Sequence, residues 1–343
     1  MVTAVASIII FFLLIWIHEL GHFLAAKKVG IVVKEFSIGF GPLLAKTRKK
    51  ETQYSLRLIP LGGFVKMKGL DIDEEEKEED DRGSFTKATI WQRALVLFAG
   101  SGMNLLLAAV LLTLVFSGFG IPKAVPVIDG VQANMPAAAA GFKPGDKIIA
   151  VDNTVINSWE ELAAKINKNP NKLLTIKVLR NNQELVLKVT PKPDKEGQGK
   201  IGIIPRQINE KKPIWEGLYF GFTYTFKIIG LIIVFLGKML VHQAPMELGG
   251  PVRVVSEIGR AAQFGIASLV QLAAFLSINL GIFNLLPIPA LDGSRIMFVL
   301  AEGLRGKPID PEKENFIHLI GFGLLLLLML VVTYKDILQL IGG

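Results

Sequence analysis

Four long stretches of this sequence contain no charged side chain, and they limit the fold more than any other feature. They are Met1–Ile17, Ala94–Ile121, Ala261–Leu291 and Asn315–Tyr334. A helix needs about 20 apolar residues to cross the hydrocarbon core of a bilayer. The chain is 51% hydrophobic with a mean hydropathy of +0.46, which is too apolar for an ordinary soluble protein. The sequence therefore predicts an α-helical polytopic membrane protein with about four spans.

Two apolar segments need separate arguments. Met1–Ala26 has neither a basic N-terminal region nor a cleavage site, so it is predicted to be a retained span rather than a signal peptide. Pro213–Val241 is apolar but is interrupted by Lys227 and Lys238. It either crosses the membrane or lies at the interface as an amphipathic helix. We favour the interfacial alternative, which leaves four spans.

Basic residues are concentrated after the first span. Residues 25–57 hold eight Lys or Arg against two Glu, and no charge precedes His18. The positive-inside rule therefore predicts an outside N-terminus and a cytoplasmic first loop. The net charge of +8 fits anionic lipid headgroups of the bilayer, and no nucleic-acid partner is predicted. Because cysteine is absent, disulfides, thiolate zinc sites and cysteine nucleophiles are excluded.

The loop that follows the first span mixes β patterns with a run of acids. Lys34–Leu44 and Thr52–Met67 alternate like the strands of a small hairpin, with glycines as punctuation. Asp71–Asp81 contains nine acids and one Lys, and it is predicted to be a solvated, flexible stretch.

The character of the chain changes over residues 122–212, which are polar and patterned as short strands around one helix. Ser158 is a candidate N-cap for a helix through Ile166, and Asn181-Asn182 joins two alternating runs as a hairpin. About ninety residues make one small domain. The pattern resembles a bacterial PDZ domain, mainly over Pro136–Asn153. The resemblance implies that peptides add to a strand at Ile201, Gly202, Ile203 and Ile204, facing the helix Trp159–Ile166.

His18-Glu19-Leu20-Gly21-His22 is an HExxH motif. Residues four apart share one face of a helix, so both imidazoles can point at one metal ion, and Glu19 between them can act as a base. Ionisable groups at the end of an apolar span are costly, which favours a functional reading over a structural one.

A catalytic zinc ion has three protein ligands, so a third must come from elsewhere. Asp292 is the acid near the third uncharged stretch, and it follows Pro287 and Pro289, which prevent a continuous helix. Irregular backbone at membrane depth is tolerated where protein or a watery cavity surrounds it. Taken without His18 and His22, Asp292 fits a helix N-cap just outside the membrane better than a metal ligand.

An HExxH motif in the first span together with Asn284–Gly293 (NLLPIPALDG) in a late span resembles the site-2 protease family. The PDZ-like insert after the second span makes the chain similar to the bacterial type with one PDZ domain. The family implies an intramembrane zinc metalloprotease, with zinc held by His18, His22 and Asp292 and with Glu19 as general base. It also implies that Asn284 and Asn279 position substrate. Gly62, Gly63 and Phe64 would belong to a membrane-associated β hairpin element that presents the substrate as a strand.

The sequence implies three domains. Residues 1–121 contain two spans, the HExxH motif and the cytoplasmic β-rich loop, and residues 122–212 form the extracytoplasmic PDZ-like domain. Residues 213–343 contain an interfacial or membrane helix and then the last two spans, with the LDG motif. The implied substrates are single-span membrane proteins, such as anti-sigma factors or signal-peptide remnants, already cut on the outer side. The implied location is the cytoplasmic membrane of a bacterium, with the active site towards the cytoplasm.

Three other readings are weighed against this one. A non-catalytic PDZ-bearing scaffold or chaperone predicts an incomplete metal set. A metal transporter predicts polar residues on several spans, whereas His318 is a lone histidine that we interpret as structural or interfacial. A tethered soluble-type zincin needs a third ligand just after HExxH, where only Glu35 and Glu51 occur before Leu61.

Overall fold

The computed structural model describes residues 1–70, 82–243, 249–307 and 309–342. The acidic segment 71–81, predicted to be flexible, lies outside the described residues. The chain divides into two compact units, of which one combines Met1–Ser117 with Pro213–Gly343 and the other is Gly118–Lys212. The two end segments of the sequence therefore form one unit, and the inserted unit begins four residues before the predicted boundary at 122.

Helices dominate the first unit. Within the described residues its helices are α1 (Val2–Val29), α2 (Ile90–Gly118), then, after the inserted unit, α5 (Ile214–Leu240), α6 (Pro251–Phe264), α7 (Ile266–Asn284), α8 (Asp292–Arg305) and α9 (Pro311–Gly342), with a short 3-10 turn at Phe85–Lys87. Its strands are β1 (Val33–Lys49) and β2 (Thr52–Met67).

The helices α1 and α2 run antiparallel in close contact. Two glycines permit this approach, because a Cβ at Gly21 would overlap the Ala99 carbonyl and a Cβ at Gly100 would overlap the His22 ring. Small residues are the usual means by which membrane helices come this near. The small residues of the Ala99–Gly102 run thus permit the close packing of α1 and α2.

The helix α7 runs parallel to α1. Its Ser277 hydroxyl donates to the Asn104 carbonyl at 2.7 Å, and Gly281 packs against Ser101. Successive residues along α7 contact α2 in the reverse of their sequence order, so the two helices are antiparallel. Since α2 is also antiparallel to α1, α7 begins at the same end of the bundle as α1. In agreement, Gly259 on the preceding helix α6 packs against Thr3.

Five helices in the described part of the chain are long and apolar enough to cross a membrane, one more than the four predicted. The additional one is α5, the segment whose role the sequence left open. Its first residues pack beside the end of α2, where Gly217 meets Ser117 and Gly221 meets Thr113. Residues 213 and 265 therefore lie at the same end of the bundle, so α5 and α6 together add no net crossing.

The two strands of the first unit fold back on themselves into a small antiparallel sheet. Tyr54 lies opposite both Phe36 and Thr47, while Phe36 also lies opposite Val65. Gly39, Gly41 and Gly62 have positive φ values at the bends, where glycine is the residue that fits without strain. Among the described residues, the segment 63–67 is paired on one side only.

The second unit is PDZ-like, and it has its own apolar core. In the described residues it contains β3 (Ile121–Val131), α3 (Pro136–Ala139), β4 (Lys147–Val151), β5 (Thr154–Val155), α4 (Trp159–Asn167), β6 (Leu174–Arg180), β7 (Gln183–Val189), β8 (Lys192–Pro193), β9 (Gly199–Lys200) and β10 (Ile203–Glu210). Its main sheet has the strand order β10-β3-β4-β6-β7 with β5 beside β4.

Local signals in this unit act as the sequence predicts. The Ser158 hydroxyl accepts from the Glu161 N–H and caps α4. Asn181 and Asn182 both have positive φ in the turn between β6 and β7, as a two-residue hairpin turn requires.

The predicted peptide-receiving residues lie at the start of the edge strand β10. Ile203 and Ile204 pair with β3, and β10 ends the main sheet. Ile201 is buried in the core, and its carbonyl accepts from the Ala137 N–H. An edge strand presents the open backbone groups that strand addition needs, so peptide binding at β10 stays a prediction that the sheet order permits.

Candidate active site

The two histidines of HExxH and Asp292 meet inside the first unit. His18 Nε2 and His22 Nε2 are 3.1 Å apart, and the Asp292 Oδ2 atom lies 3.1 Å from the first and 3.3 Å from the second. Both histidines are buried. The carboxylate oxygen has no conventional hydrogen-bond donor around it other than these nitrogens. Three donor atoms thus converge on one point from residues 18, 22 and 292.

The broken segment between α7 and α8 delivers the aspartate. Helix α7 ends at Asn284, the two prolines follow, and α8 begins at Asp292 itself. The chain turns back so tightly that a Cβ at Gly293 would overlap the Leu285 carbonyl. Asp292 is therefore the first residue of α8, but the N-cap is Leu291 and no side chain caps the helix, so the alternative interpretation of Asp292 as an N-cap is wrong. Its carboxylate points to the two imidazoles instead.

Partners on α2 orient the two rings. His22 Nδ1 donates to the Val96 carbonyl at 2.8 Å, which leaves Nε2 with a free lone pair. The side-chain amide of Asn104 lies 3.3 Å from His18 Nδ1, and Asn104 is fully buried with its Oδ1 unpartnered. A turn of this amide lets Oδ1 accept from the Nδ1–H of His18 and frees Nε2 there as well.

The donor set fits a zinc ion. Tetrahedral zinc has bonds of about 2.0–2.1 Å to nitrogen and oxygen, which places its ligands roughly 3.3 Å apart. The three separations here are 3.1, 3.1 and 3.3 Å. Two imidazoles and a carboxylate are a known catalytic zinc set that keeps one position open.

Glu19 faces the small β sheet. A Cβ at Gly63 would lie 3.5 Å from the Glu19 Cγ. The segment 63–67, which no further described strand covers, therefore runs past the glutamate of the HExxH motif.

The predicted substrate-positioning residues divide into two groups. The Asn284 amide lies 3.5 Å from His18 Nε2, beside the convergence point. The Asn279 amide donates instead to the Phe275 carbonyl of its own helix, and no contact in the described part of the chain joins it to the site. In the sheet, Phe64 stacks on Phe40, whose ring leaves no room for a Cβ at Gly62.

Sequence reasoning missed three supports of this site. The contact of Asn104 with His18 was not predicted. Arg93 makes a bidentate pair with Glu302, with both N–O distances at 2.8 Å, which ties α2 to α8. His318 accepts from the Ala290 N–H. The one available signal was that polar residues inside spans are costly and therefore need partners.

Comparisons with known proteins agree with this geometry. The family model described as peptidase family M50 matches residues 6–328. The chain is 35% identical to the regulator of sigma-W protease RasP of Bacillus subtilis, over 98% of this chain and 99% of that protein. It is 41% identical to a putative zinc metalloprotease of Clostridium acetobutylicum, over 97% and 96% of the two chains.

Among solved structures, the PDZ domain of an SdrC-like protein from Listeria monocytogenes aligns over 25% of this chain and 90% of that one. Its identity is 21% and its TM-score is 0.22, so this alignment adds no support to the strand order described above. The family match and the two relatives each cover nearly the whole chain. The chain therefore belongs to peptidase family M50, the site-2 protease family of zinc metalloproteases.

Proposed function

We propose that this protease cuts single-span membrane proteins within or near the bilayer, after an earlier cut has removed their outer domains. The observation that carries the proposal is the convergence of His18, His22 and Asp292 at a helix end where Glu19 faces an uncovered strand. Burial of these groups among apolar helices suits a substrate that is itself in the membrane.

We assign His18, His22 and Asp292 as the zinc ligands and Glu19 as the general base. Zinc, when bound, supplies a Lewis acid that acidifies water and polarises a carbonyl. Glu19 takes the proton of the attacking water and returns it to the leaving amine. The Asn284 amide, 3.5 Å from His18 Nε2, is placed to donate to the developing oxyanion, and such donors act strongly in a dry site.

The segment Gly62–Met67 is assigned to hold the substrate. A helical substrate hides its carbonyls in internal hydrogen bonds, so it must unwind before it is cut. Pairing with an uncovered strand compensates the backbone groups that unwinding frees. The position of Gly63 beside Glu19 supports attack on a carbonyl held in such a pair.

The substrate class follows from the membrane site and from the inserted unit. The PDZ-like domain, on the outer side, excludes bulky ectodomains and admits trimmed substrates. The Bacillus relative is named as a regulator of sigma-W, which supports membrane-bound anti-sigma factors as one substrate type. Signal-peptide remnants, which are membrane spans without a bulky ectodomain, are a second substrate type.

The deciding experiment is cleavage of a co-reconstituted, ectodomain-trimmed single-span protein, with zinc content measured on each purified variant. Wild type is expected to cut. Glu19→Gln is expected to keep zinc and lose activity, because it removes the base and no metal ligand. Asp292→Asn is expected to lose zinc as well, and Glu257→Gln, at an exposed pair with Arg260, serves as a matched control outside the site.

Two results contradict the proposal. If wild type binds no zinc, or if Glu19→Gln cuts as fast as wild type, the roles above are wrong. A substrate with its ectodomain intact that is cut as fast as the trimmed one contradicts the filter assigned to the PDZ-like domain.

A further inference from the structure

His318, on the last helix α9, is a buried histidine outside the metal cluster. Its Nδ1 atom accepts a hydrogen bond of 2.9 Å from the Ala290 N–H. Its Nε2 atom lies 3.7 Å from the Glu314 Oε1 atom one turn earlier. The Phe298 ring of α8 packs edge-on against the imidazole at 5.7 Å. An accepting Nδ1 requires the proton to be on Nε2, the nitrogen nearer to the carboxylate.

Ala290 has a backbone conformation that alanine rarely adopts. Its φ is 78°, in the left-handed region that a Cβ disfavours. Residues held in this region persist only where their surroundings fix them. Ala290 lies two residues before Asp292, so its conformation decides the direction from which the aspartate enters the site.

The helix α9 presses directly on this segment. One turn after His318, a Cβ at Gly321 would overlap the backbone of Pro289. The glycine thus permits the close approach that lets His318 reach the Ala290 N–H. Neither Pro287 nor Pro289 has an N–H of its own, so this segment has few backbone donors by which to be held.

We infer that His318 is a positioning residue for Asp292, acting as the hydrogen-bond acceptor that holds Ala290 in its left-handed conformation. It touches neither the metal ligands nor a substrate, and it acts through two residues of backbone. The inference rests on the proposed role of Asp292 as a zinc ligand. It gives the last helix a part in building the metal site rather than only in spanning the membrane.

The test is the zinc affinity of the purified full-length chain, measured by competition with a chelator. His318→Asn keeps an acceptor near the Nδ1 position, whereas His318→Gln moves it towards the Nε2 position. We expect the Asn variant to bind zinc nearly as tightly as wild type and the Gln variant to bind it at least about tenfold more weakly, the loss typical of removing an outer partner of a metal ligand. His242→Gln, at an exposed histidine after α5, is expected to leave the affinity unchanged.

A second pair of variants tests the backbone mechanism. His318→Leu is expected to weaken zinc binding, and adding Ala290→Gly to it is expected to restore part of the affinity, because glycine adopts this conformation without strain. Equal affinities of the Asn and Gln variants, or no recovery in the double variant, overturn the inference. If Asp292→Asn itself leaves zinc affinity unchanged, the ligand assignment under the proposed function fails instead, and the two failures are thus distinguishable.

Discussion

Each imidazole of an HExxH pair can bind a shared metal only through a nitrogen that carries no proton. In this protein, partners on α2 decide which nitrogen that is. The Val96 carbonyl fixes His22, and the Asn104 amide lies against His18. Spacing within the motif predicts that the two rings share a helix face, but it says nothing about the second nitrogen of either ring. That information is in residues more than seventy positions away, and no local pattern reveals it.

Replacing Asn104 with alanine should therefore weaken zinc binding. Loss of its amide leaves His18 Nδ1 without a partner, so the ring no longer has a preferred tautomer or orientation. We expect the zinc dissociation constant to rise roughly ten- to a hundredfold, as measured by chelator competition on purified protein. Thr113→Ala is the matched control, because that buried hydroxyl bonds only to the Ala109 carbonyl of its own helix. Equal effects of the two substitutions would contradict the assigned role.

At the scale of elements, the metal site depends on α8 being held against α2. Asp292, at the first turn of α8, reaches the histidines, and the Arg93–Glu302 pair anchors the last turn of the same helix. The proline-broken segment was readable from sequence, because two prolines exclude a continuous helix, whereas Asp292 was assigned as a ligand only through the family resemblance. The ion pair was not readable, since its partners are 209 residues apart and many other charged residues were equally available.

Glu302→Gln should lower both the thermal stability of the detergent-solubilised chain and its zinc affinity, because it leaves the largely buried Arg93 guanidinium without its anion. Because this pair is part-buried, removal of one partner costs about 1–3 kcal/mol. The charge-swapped double variant Arg93→Glu/Glu302→Arg is expected to recover part of both losses. Glu257→Gln breaks an exposed pair with Arg260 and should change neither quantity. A charge swap that is no better than the single variant would refute the anchoring role.

In the PDZ-like unit, the buried Asp146 carboxylate connects the start of β4 to the end of β6. Burial acts to raise the pKa of Asp146, but hydrogen bonds from Arg180 and from the Lys143 N–H offset this, and the net pKa is lowered. A lower pKa in the folded than in the unfolded state adds stability above the unfolded value of about 3.9. This contribution is lost as the pH falls through the folded-state pKa.

Residues 118–212 form a compact unit with its own apolar core, so we expect them to fold alone. Because the pKa of Asp146 is lowered, this domain should lose stability as the pH falls below about 4. Asp146→Asn is expected to cost about 2–3 kcal/mol at neutral pH and to flatten the acid limb of the stability profile. Urea unfolding at a series of pH values measures both effects. Asp129→Asn, at an exposed carboxylate with only a long contact to Arg206, should do neither. An unchanged acid limb in Asp146→Asn would show that other groups cause it.

For the whole molecule, the strongest result is that two distant parts of the chain form one helical unit and the part between them forms another. Uncharged runs and a shift to polar alternation predict where the inserted part lies, but they divide the chain into three consecutive segments and do not show that the first and last form one unit. They were not enough to place Pro213–Val241, because hydropathy does not show which side a helix returns to. That answer needed the packing of Gly217 on Ser117 and of Gly259 on Thr3, which places residues 213 and 265 at the same end of the bundle.

The native chain has no cysteine, so single cysteines report its membrane topology without background. We expect Glu196→Cys, in the PDZ-like unit, to react with a membrane-impermeant maleimide on intact cells. Lys49→Cys, in the basic first loop, should react only after the membrane is opened, as the positive-inside rule requires. The reverse pattern would place the metal motif on the outer side and refute the proposed orientation.

The uncovered strand beside Glu19 has a consequence for what such an enzyme is able to distinguish. A strand edge offers only N–H and C=O groups, which are the same for every residue except proline. Recognition there is blind to side-chain identity and sensitive to backbone, so conservative changes in a target should matter little, while a proline at a paired position removes a required donor. Selectivity would then depend on how readily a transmembrane segment unwinds. Such an enzyme would distinguish its targets by the stability of their helices rather than by their sequence.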